Sequence, residues 1–337
     1  MILVQDYSVA VFCLVLCMIC WGSWANMQKL TAKTWRFELF YMDFIVGTLI
    51  AAIIGAFTAG SLGSEGRSFL TDLAQADLTS IFYALLGGIV WNLGTFLLVA
   101  AMAVAGMSVG FPIGGGLAWV LGICVNFVLE LSADKPQSKT GMLFTGVAFI
   151  IAAIYLSMLS YRRLAKEQKK PSAKGILIAL AAGVTIAFFY GLVVKSLDPA
   201  FVGGGAGTLT PFTGVFLFAI GAFISTPIFN LVVMRYPVQG ERISMLEYFK
   251  GSAYTHFIGI VGGIIWMAGM VISFMSVGAA GPAISYALSN AAPVVAILWG
   301  VLVWKEFKEA PKGTNKLLAA MFALFLIGLV VITLSKV

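Results

Sequence analysis

Ten stretches of this chain are each about twenty or more residues long and almost wholly apolar, the length a helix needs to cross the core of a bilayer. They run over residues 8–28, 37–60, 79–104, 107–130, 141–161, 175–197, 211–235, 251–276, 279–304 and 316–335. The third and fourth merge into one apolar region, as do the eighth and ninth. Each region is about twice the length of one span, so each reads as a hairpin with almost no loop. Composition agrees: 61% of residues are hydrophobic and 10% charged, against roughly 45–50% and 25% in soluble domains. The bilayer must therefore act as solvent, and the expected fold is an all-α integral membrane protein of ten transmembrane helices.

The net charge of +7 resides in short loops between the spans. It is not a nucleic-acid footprint, and the partners it leaves are the lipid bilayer and a small-molecule substrate, with monomer and homodimer both open. Loops 1–2, 3–4, 5–6, 7–8 and 9–10 share one face and hold three, none, six, three and four Lys/Arg, 16 of the 21 in the chain. The positive-inside rule makes that the cytoplasmic face of a multi-pass inner (cell) membrane protein, with both termini on the other side. The N-terminal MILVQDYS has no basic region, so the first span is read as a retained helix and not a signal peptide. Cys13, Cys17, Cys20 and Cys124 all lie within spans and are read as small apolar residues, with neither a disulfide framework nor a metal site expected.

The chain also repeats. Gly87-Gly88-Ile89-Val90-Trp91 recurs 175 residues later as Gly262-Gly263-Ile264-Ile265-Trp266, and without a gap Gly94 matches Gly269, Gly106 matches Gly281 and Pro136 matches Pro311. The units are residues 1–161 and 175–337, joined by a basic linker over 162–174. Five spans is an odd number, so the second unit enters the membrane from the opposite side. Inverted repeats of this kind are a ground plan of secondary transporters.

Small residues recur along one face of the fourth span at Gly106, Gly110, Gly114 and Ala118. Two readings stay open and are compatible: a tight helix interface, and a fourth span loosened near mid-membrane by Pro112 and Gly114-Gly115-Gly116. The run Gly203-Gly204-Gly205-Ala206-Gly207 lacks the context of a phosphate loop and reads as a flexible connection.

Ionisable groups within spans are costly and mark function more often than composition does. Asp43 lies in the second span and His256, the single histidine, lies at similar depth in the eighth. One reading has both facing a cavity, one of them carrying a coupling proton, because histidine titrates near neutrality and a desolvated carboxylate titrates high. The other makes Asp43 an interfacial anchor and His256 a satisfied interior residue. Glu38, Glu130 and Glu306 fall at span ends and read as interfacial. Substrate-binding candidates are the amides and aromatics of the same spans: Trp24, Asn26, Gln28, Trp91, Asn92, Ser108, Tyr254, Trp266, Tyr286 and Asn290. Aromatic faces stack on sugars and planar heterocycles, and amides supply paired donors and acceptors. Trp35, Trp119, Trp299 and Trp304 are read as interfacial or core residues.

These motifs resemble the drug/metabolite transporter superfamily, and within it the sugar-transporting branch of rhamnose–proton symporters and glucose uptake proteins, with the related ureide permeases. The first likeness lies in Lys33-x-Trp35-x-x-Glu38, Trp91-Asn92-Leu93-Gly94, Gly106-Met107-Ser108-Val109-Gly110, the Gly-Gly-Ile-Ile-Trp element and Lys305-Glu306. The second lies in Gly22-x-Trp24, Tyr41-x-Asp43 and the two Gly-Gly-x-Val/Ile-Trp elements, although the long central loop of plant ureide permeases is absent. The resemblance implies two inverted five-helix repeats around a cavity lined chiefly by spans 1, 3, 4, 6, 8 and 9. It also implies secondary transport of a small polar solute, often driven by a proton gradient and without a cofactor.

The resulting expectation is a monosaccharide importer, with a ureide or nucleobase permease, or an exporter of the same fold, as the alternative. An enzyme is not expected: His-Glu-x-x-His, Gly-x-Ser-x-Gly and paired intramembrane aspartates are all missing from the sequence.

Overall fold

Among its described residues the computed structural model has ten helices long and apolar enough to cross a membrane. It describes residues 1–31, 34–105, 107–132, 137–164, 173–201, 203–237 and 241–337, apart from the side chains of residues 103, 105, 107–109, 111, 112 and 164. The spans are α1 (Tyr7–Thr31), α2 (Phe37–Phe57), α3 (Leu78–Ala105), α4 (Met107–Ser132), α5 (Thr140–Leu164), α6 (Ala173–Ser196), α7 (Pro211–Arg235), α8 (Ala253–Ala280), α9 (Pro282–Val303) and α10 (Thr314–Thr333). The chain is a multi-pass membrane protein. Of the 162–174 linker, residues 165–172 lie outside the described residues.

Local chemistry sets the ends of several spans. Asp6 accepts the Val9 N–H at 2.9 Å and starts α1, and Ser252 accepts the Thr255 N–H at 3.2 Å and starts α8. Pro211 and Pro282 occupy first helical turns, where no N–H is needed. Gly281, at φ +83°, lets the chain reverse between α8 and α9.

Packing between spans runs through glycines. A Cβ on Gly88 of α3 would lie 2.0 Å from the Phe218 carbonyl oxygen of α7, and one on Gly263 of α8 would lie 1.9 Å from that of Phe44 in α2. Likewise Gly221 of α7 meets the Leu85 carbonyl oxygen at 2.1 Å, and Gly47 of α2 meets that of Ile260 at 2.0 Å. Backbones this close leave no room for a side chain, which is how helices associate where lipid removes the hydrophobic drive. The two sets of contacts are related by a shift of 174 or 175 residues, consistent with the inverted repeat.

At the centre Trp91 and Trp266 meet at 4.2 Å between ring centroids. Trp91 also contacts Phe218 at 5.5 Å and Trp266 contacts Phe44 at 6.4 Å.

Two expectations change. The backbone of α4 runs unbroken, and the loosened span is α9, which divides into Pro282–Ser289, Pro293–Leu298 and a π turn over Trp299–Val303. Pro293 has no N–H to give the preceding turn, so the helix opens over Asn290–Ala292. The stretch 203–207 is tied down where it is described. Gly204 N–H donates to Asp198 at 2.9 Å, Gly207 N–H to Gln75 at 2.7 Å, and Arg67 donates to the Gly205 carbonyl at 2.9 Å.

Candidate functional site: a cavity at the basic end of the bundle

One cavity of about 530 Å³ opens among α1, α3, α4, α5, α9 and α10, near the face that carries the Lys/Arg-rich loops. Spans 6 and 8 do not line it, contrary to the resemblance. α6 is instead sealed onto α3 and α4, where a Cβ on Gly183 would lie 2.8 Å from the Gly114 carbonyl oxygen and one on Gly94 2.5 Å from Ile186. α8 is sealed onto α2 in the same way.

The walls are mostly apolar, from Leu98, Val99, Ile150, Ile154 and Phe325 among others, and three indoles interrupt them: Trp24, Trp119 and Trp304. Polar groups are few. Asn26 and Gln28 come from the last turns of α1, and Asn290 comes from the opening in α9. The Gln28 side chain makes no hydrogen bond among the described residues, and Asn290 uses its amide N–H toward the Tyr286 carbonyl at 3.2 Å, its oxygen having no hydrogen-bond partner among the described residues. Asn26 is committed: it accepts from the Trp304 indole at 2.5 Å and donates to the Ser23 carbonyl at 3.0 Å. At the mouth Lys29 is ion-paired with Glu306 and sits 4.5 Å over the Trp304 ring.

Of the predicted binding residues, the structure brings Trp24, Asn26, Gln28 and Asn290 together on the cavity wall. Trp91 and Trp266 lie in the central aromatic contact and do not line it. Asn92 is spent as a buried node: it accepts from Tyr41 Oη at 2.8 Å and donates to Ser225 at 2.8 Å and Thr226 at 3.0 Å, joining α2, α3 and α7. Tyr286 braces α9 to α4 through a 2.8 Å bond to the Ala118 carbonyl, and Trp119 returns the brace to the Ala287 carbonyl at 3.1 Å. Tyr254 is 59% exposed on the outer surface of α8, away from the cavity, where it presents a ring to the membrane boundary. The side chain of Ser108 lies outside the described residues.

Trp119 and Trp304, expected as interfacial or core residues, stand on the cavity wall. For Trp119 a signal existed, since Gly115, Gly116 and Trp119 share one helix face and small residues beside an indole leave space. Trp304 had none, because it follows the irregular π turn.

Asp43 and His256 form a pair. His256 Nδ1 lies 2.9 Å from Asp43 Oδ1, and the Tyr248 hydroxyl donates to the same oxygen at 2.6 Å. Asp43 is 1% exposed, its Oδ2 has no hydrogen-bond partner among the described residues, and Gly259 of α8 makes room for it: a Cβ there would lie 2.4 Å from that of Asp43. Tyr248 belongs to a short 3-10 helix, Met245–Lys250, that precedes α8. Burial, and then the Asp43 carboxylate beside it, pushes the Tyr248 phenol above its usual range, so it remains a donor at working pH. Trp35 packs edge-on against His256 at 5.3 Å. The pair sits between α2 and α8 and does not line the cavity.

Comparison with known proteins fits this architecture. The family model described as ureide permease matches residues 40–174 and again 153–335. The chain belongs to the ureide permease family. Ureide permease 2 of Arabidopsis thaliana is 28% identical over 399 aligned positions that cover 100% of this chain and 99% of the relative. Ureide permease 1 of the same plant is 27% identical with the same coverage. A probable glucose uptake protein, GlcU, of Bacillus cereus is 24% identical over 72% of this chain and 76% of its own. A solved crystal structure aligns over 98% of both chains with a TM-score of 0.58 and 16% identity, which shows a shared fold. This family member is a transporter of small solutes and not an enzyme.

Proposed function

We propose that this permease carries a small, uncharged, amide-rich heterocycle of the ureide or nucleobase class. The monosaccharide reading moves to second place. The observation that carries the proposal is the cavity wall: three indoles, an apolar surround, and the amides of Gln28 and Asn290 with unspent bonding capacity beside the hydroxyls of Ser157 and Tyr161. A ureido group offers N–H and C=O side by side on a flat ring, which a carboxamide matches bond for bond while the ring lies on an indole. A hexose brings five hydroxyls, and burying them against so apolar a wall leaves most of them unpaired. The names of the full-length plant relatives agree with this reading. The likeness to the glucose uptake protein supports the sugar alternative over a shorter stretch.

In this proposal transport is secondary and proton-coupled, and the basic face is cytoplasmic in the cell membrane. Asp43 holds the coupling proton and His256 exchanges it with the cytoplasmic side, while Tyr248 keeps the carboxylate oriented. The pair acts on the cavity through α2 and α8, because Phe44, next to Asp43, touches Trp24 at 4.6 Å.

Uptake of labelled allantoin, uracil and glucose into proteoliposomes, with and without an imposed pH gradient, tests both parts. Saturable allantoin uptake, competed by uracil and raised by an inward proton gradient, is the expected result. Glucose accumulation that allantoin leaves unchanged would replace the substrate class. Allantoin uptake indifferent to the gradient would remove the coupling role.

A further inference from the structure

Glu130 stands near the end of α4, on the face opposite the cavity mouth, and is 3% exposed. Its Oε1 accepts the N–H of Ala283 in the first turn of α9 at 2.8 Å, and its Oε2 accepts the Gln137 N–H at 3.3 Å. The contact depends on Gly281, where a Cβ would fall 2.9 Å from Glu130 Oε1. A carboxylate from the first half thus caps a helix start in the second half. The first N–H groups of a helix have no partner within it and attract negative charge, so this is a strong place to fasten the two halves together. Lys336 is the neighbouring charge. Burial lowers its ammonium from the usual lysine range and Glu130 opposes that shift, while its Nζ donates to Gln137 at 2.5 Å.

The other end of α9 carries the counterpart. A strict shift of 175 residues pairs Glu130 with Lys305, but the π turn over Trp299–Val303 accommodates one extra residue. Counted through that turn, Glu306 corresponds to Glu130, and the loop after it is one residue shorter, which restores the shift of 175 at Pro136 and Pro311. Ahead of the turn, on the shift of 175, Gly106 matches Gly281 and Ser108 matches Ala283. The second half therefore carries a matching carboxylate, and the first half a matching glycine and helix start at α4. In this structure Glu306 is not engaged as Glu130 is. It is ion-paired with Lys29 at the open mouth of the cavity, and Gly300 leaves room for it, a Cβ there lying 2.8 Å from Glu306 Oε2.

We propose that Glu130 and Glu306 are reciprocal gate latches. Glu130 holds α4 to the start of α9 and keeps one face shut while the basic face is open. In the opposite state Glu306 leaves Lys29 and caps the first turn of α4, closing the basic face, and Glu130 releases α9. The proposal rests on the chain being a transporter that exposes its cavity to each face in turn, and is independent of which solute it carries.

The test reads exposure without any solute, so its outcome and that of the uptake assay are separable. Ser157, on the α5 wall of the cavity, is replaced by cysteine in a chain whose four native cysteines are changed to alanine. The full-length protein in liposomes is then labelled with a membrane-impermeant maleimide from each face separately. Glu130→Ala is expected to raise labelling from the face opposite the basic loops by about tenfold, the scale of one charge-assisted hydrogen bond, and to lower it from the basic face. Glu306→Ala is expected to do the reverse. Lys29→Gln frees Glu306 and is expected to reduce labelling from the basic face. Glu130→Gln retains an acceptor without the charge and gives a smaller shift of the same sign where the alanine variant folds poorly. The proposal is overturned if the Glu130 and Glu306 variants move labelling in the same direction. It is also overturned if folded Glu130→Gln and Glu130→Ala both leave labelling from the far face unchanged.

Discussion

The contact of α6 with α3 and α4 and the contact of α1 with α8 and α9 use corresponding residues and end differently. Gly94 of α3 closes on Ile186 of α6 at 2.5 Å, and its counterpart Gly269 of α8 closes on Trp21 of α1 at 2.9 Å. Beyond these points the two regions diverge. α6 remains sealed to α4, with Gly191 against Leu129 at 2.9 Å. Past Gly22, which meets the Ala292 carbonyl oxygen at 2.6 Å, α1 stays joined to α9 through side chains, the Trp299 indole donating to Ser23 Oγ at 2.9 Å, while Trp24, Asn26, Gln28 and Lys29 line the cavity. A matching difference separates the two helices they pack on, since α4 is continuous and α9 is opened at Asn290–Ala292. The lesson is that a sequence repeat can hold two packings of one plan. The open side is the one whose helix contains a proline in mid-span and a π turn.

Disturbing the glycine contacts common to both regions should break the comparison outright. Gly88→Val and Gly263→Val each drive a side chain into a carbonyl less than or equal to 2.0 Å from the new Cβ. The expected cost exceeds the ~1–3 kcal/mol usual for overpacking. Both variants should be lost from the monodisperse peak in size-exclusion chromatography, whereas Gly141→Ala, with nothing within 4 Å, should elute as the parent does.

Next in size is the Asp43–His256 pair, which exists only on the α2–α8 side. Asp43→Asn is expected to reduce proton-driven accumulation by about tenfold or more, because the remaining amide cannot carry the proton. Solute exchange at equal pH on both sides should change much less. Comparable loss in both assays would make the pair a packing element and remove its coupling role.

A moderate effect is expected on the open wall. Gln28→Ala and Asn290→Ala should each raise the half-saturating concentration about five- to tenfold, the scale of one ~1 kcal/mol hydrogen bond, with little change in maximal rate. On the sealed side the corresponding α6 positions have no cavity, and mutations there should affect stability and not affinity. The smallest effect belongs to Tyr254, whose exposed ring should tolerate Tyr254→Phe with unchanged uptake and half-saturation.

The spans were legible in the sequence because hydrocarbon thickness fixes helix length and apolar character together. Both near-loopless hairpins were legible too, since each merged apolar region is about twice the length of one span. The site was legible in part. Trp24, Asn26, Gln28 and Asn290 stood out as polar or aromatic groups in apolar runs, and they line the cavity. Asn92 and Tyr286 stood out for the same reason and are spent on bonds between helices, Asn92 to α2 and α7 and Tyr286 to α4. A buried amide carries the same sequence signal whether its partner is a solute or a backbone.

The loosened span was placed in α4 because Pro112 and three consecutive glycines look weaker than anything in α9. The first of those glycines is held by packing: a Cβ on Gly114 would lie 3.1 Å from the Ala179 carbonyl oxygen. Helix propensity could not reveal that α6 would support α4 at Gly114, while Pro293 opens α9 despite its contact with Gly22 of α1. Glu130 was read as interfacial for a similar reason, since its partner is a backbone N–H 153 residues away.

The account turns most directly on whether the cavity beside Trp24, Trp119 and Trp304 receives the solute. Maleimide labelling of Ser157→Cys from the basic face, with and without allantoin, measures this. The account predicts that saturating allantoin slows labelling severalfold and that Gln28→Ala shifts the protecting concentration upward. Equal labelling rates with and without allantoin, in protein that still transports it, would contradict the assignment of this cavity as the substrate site.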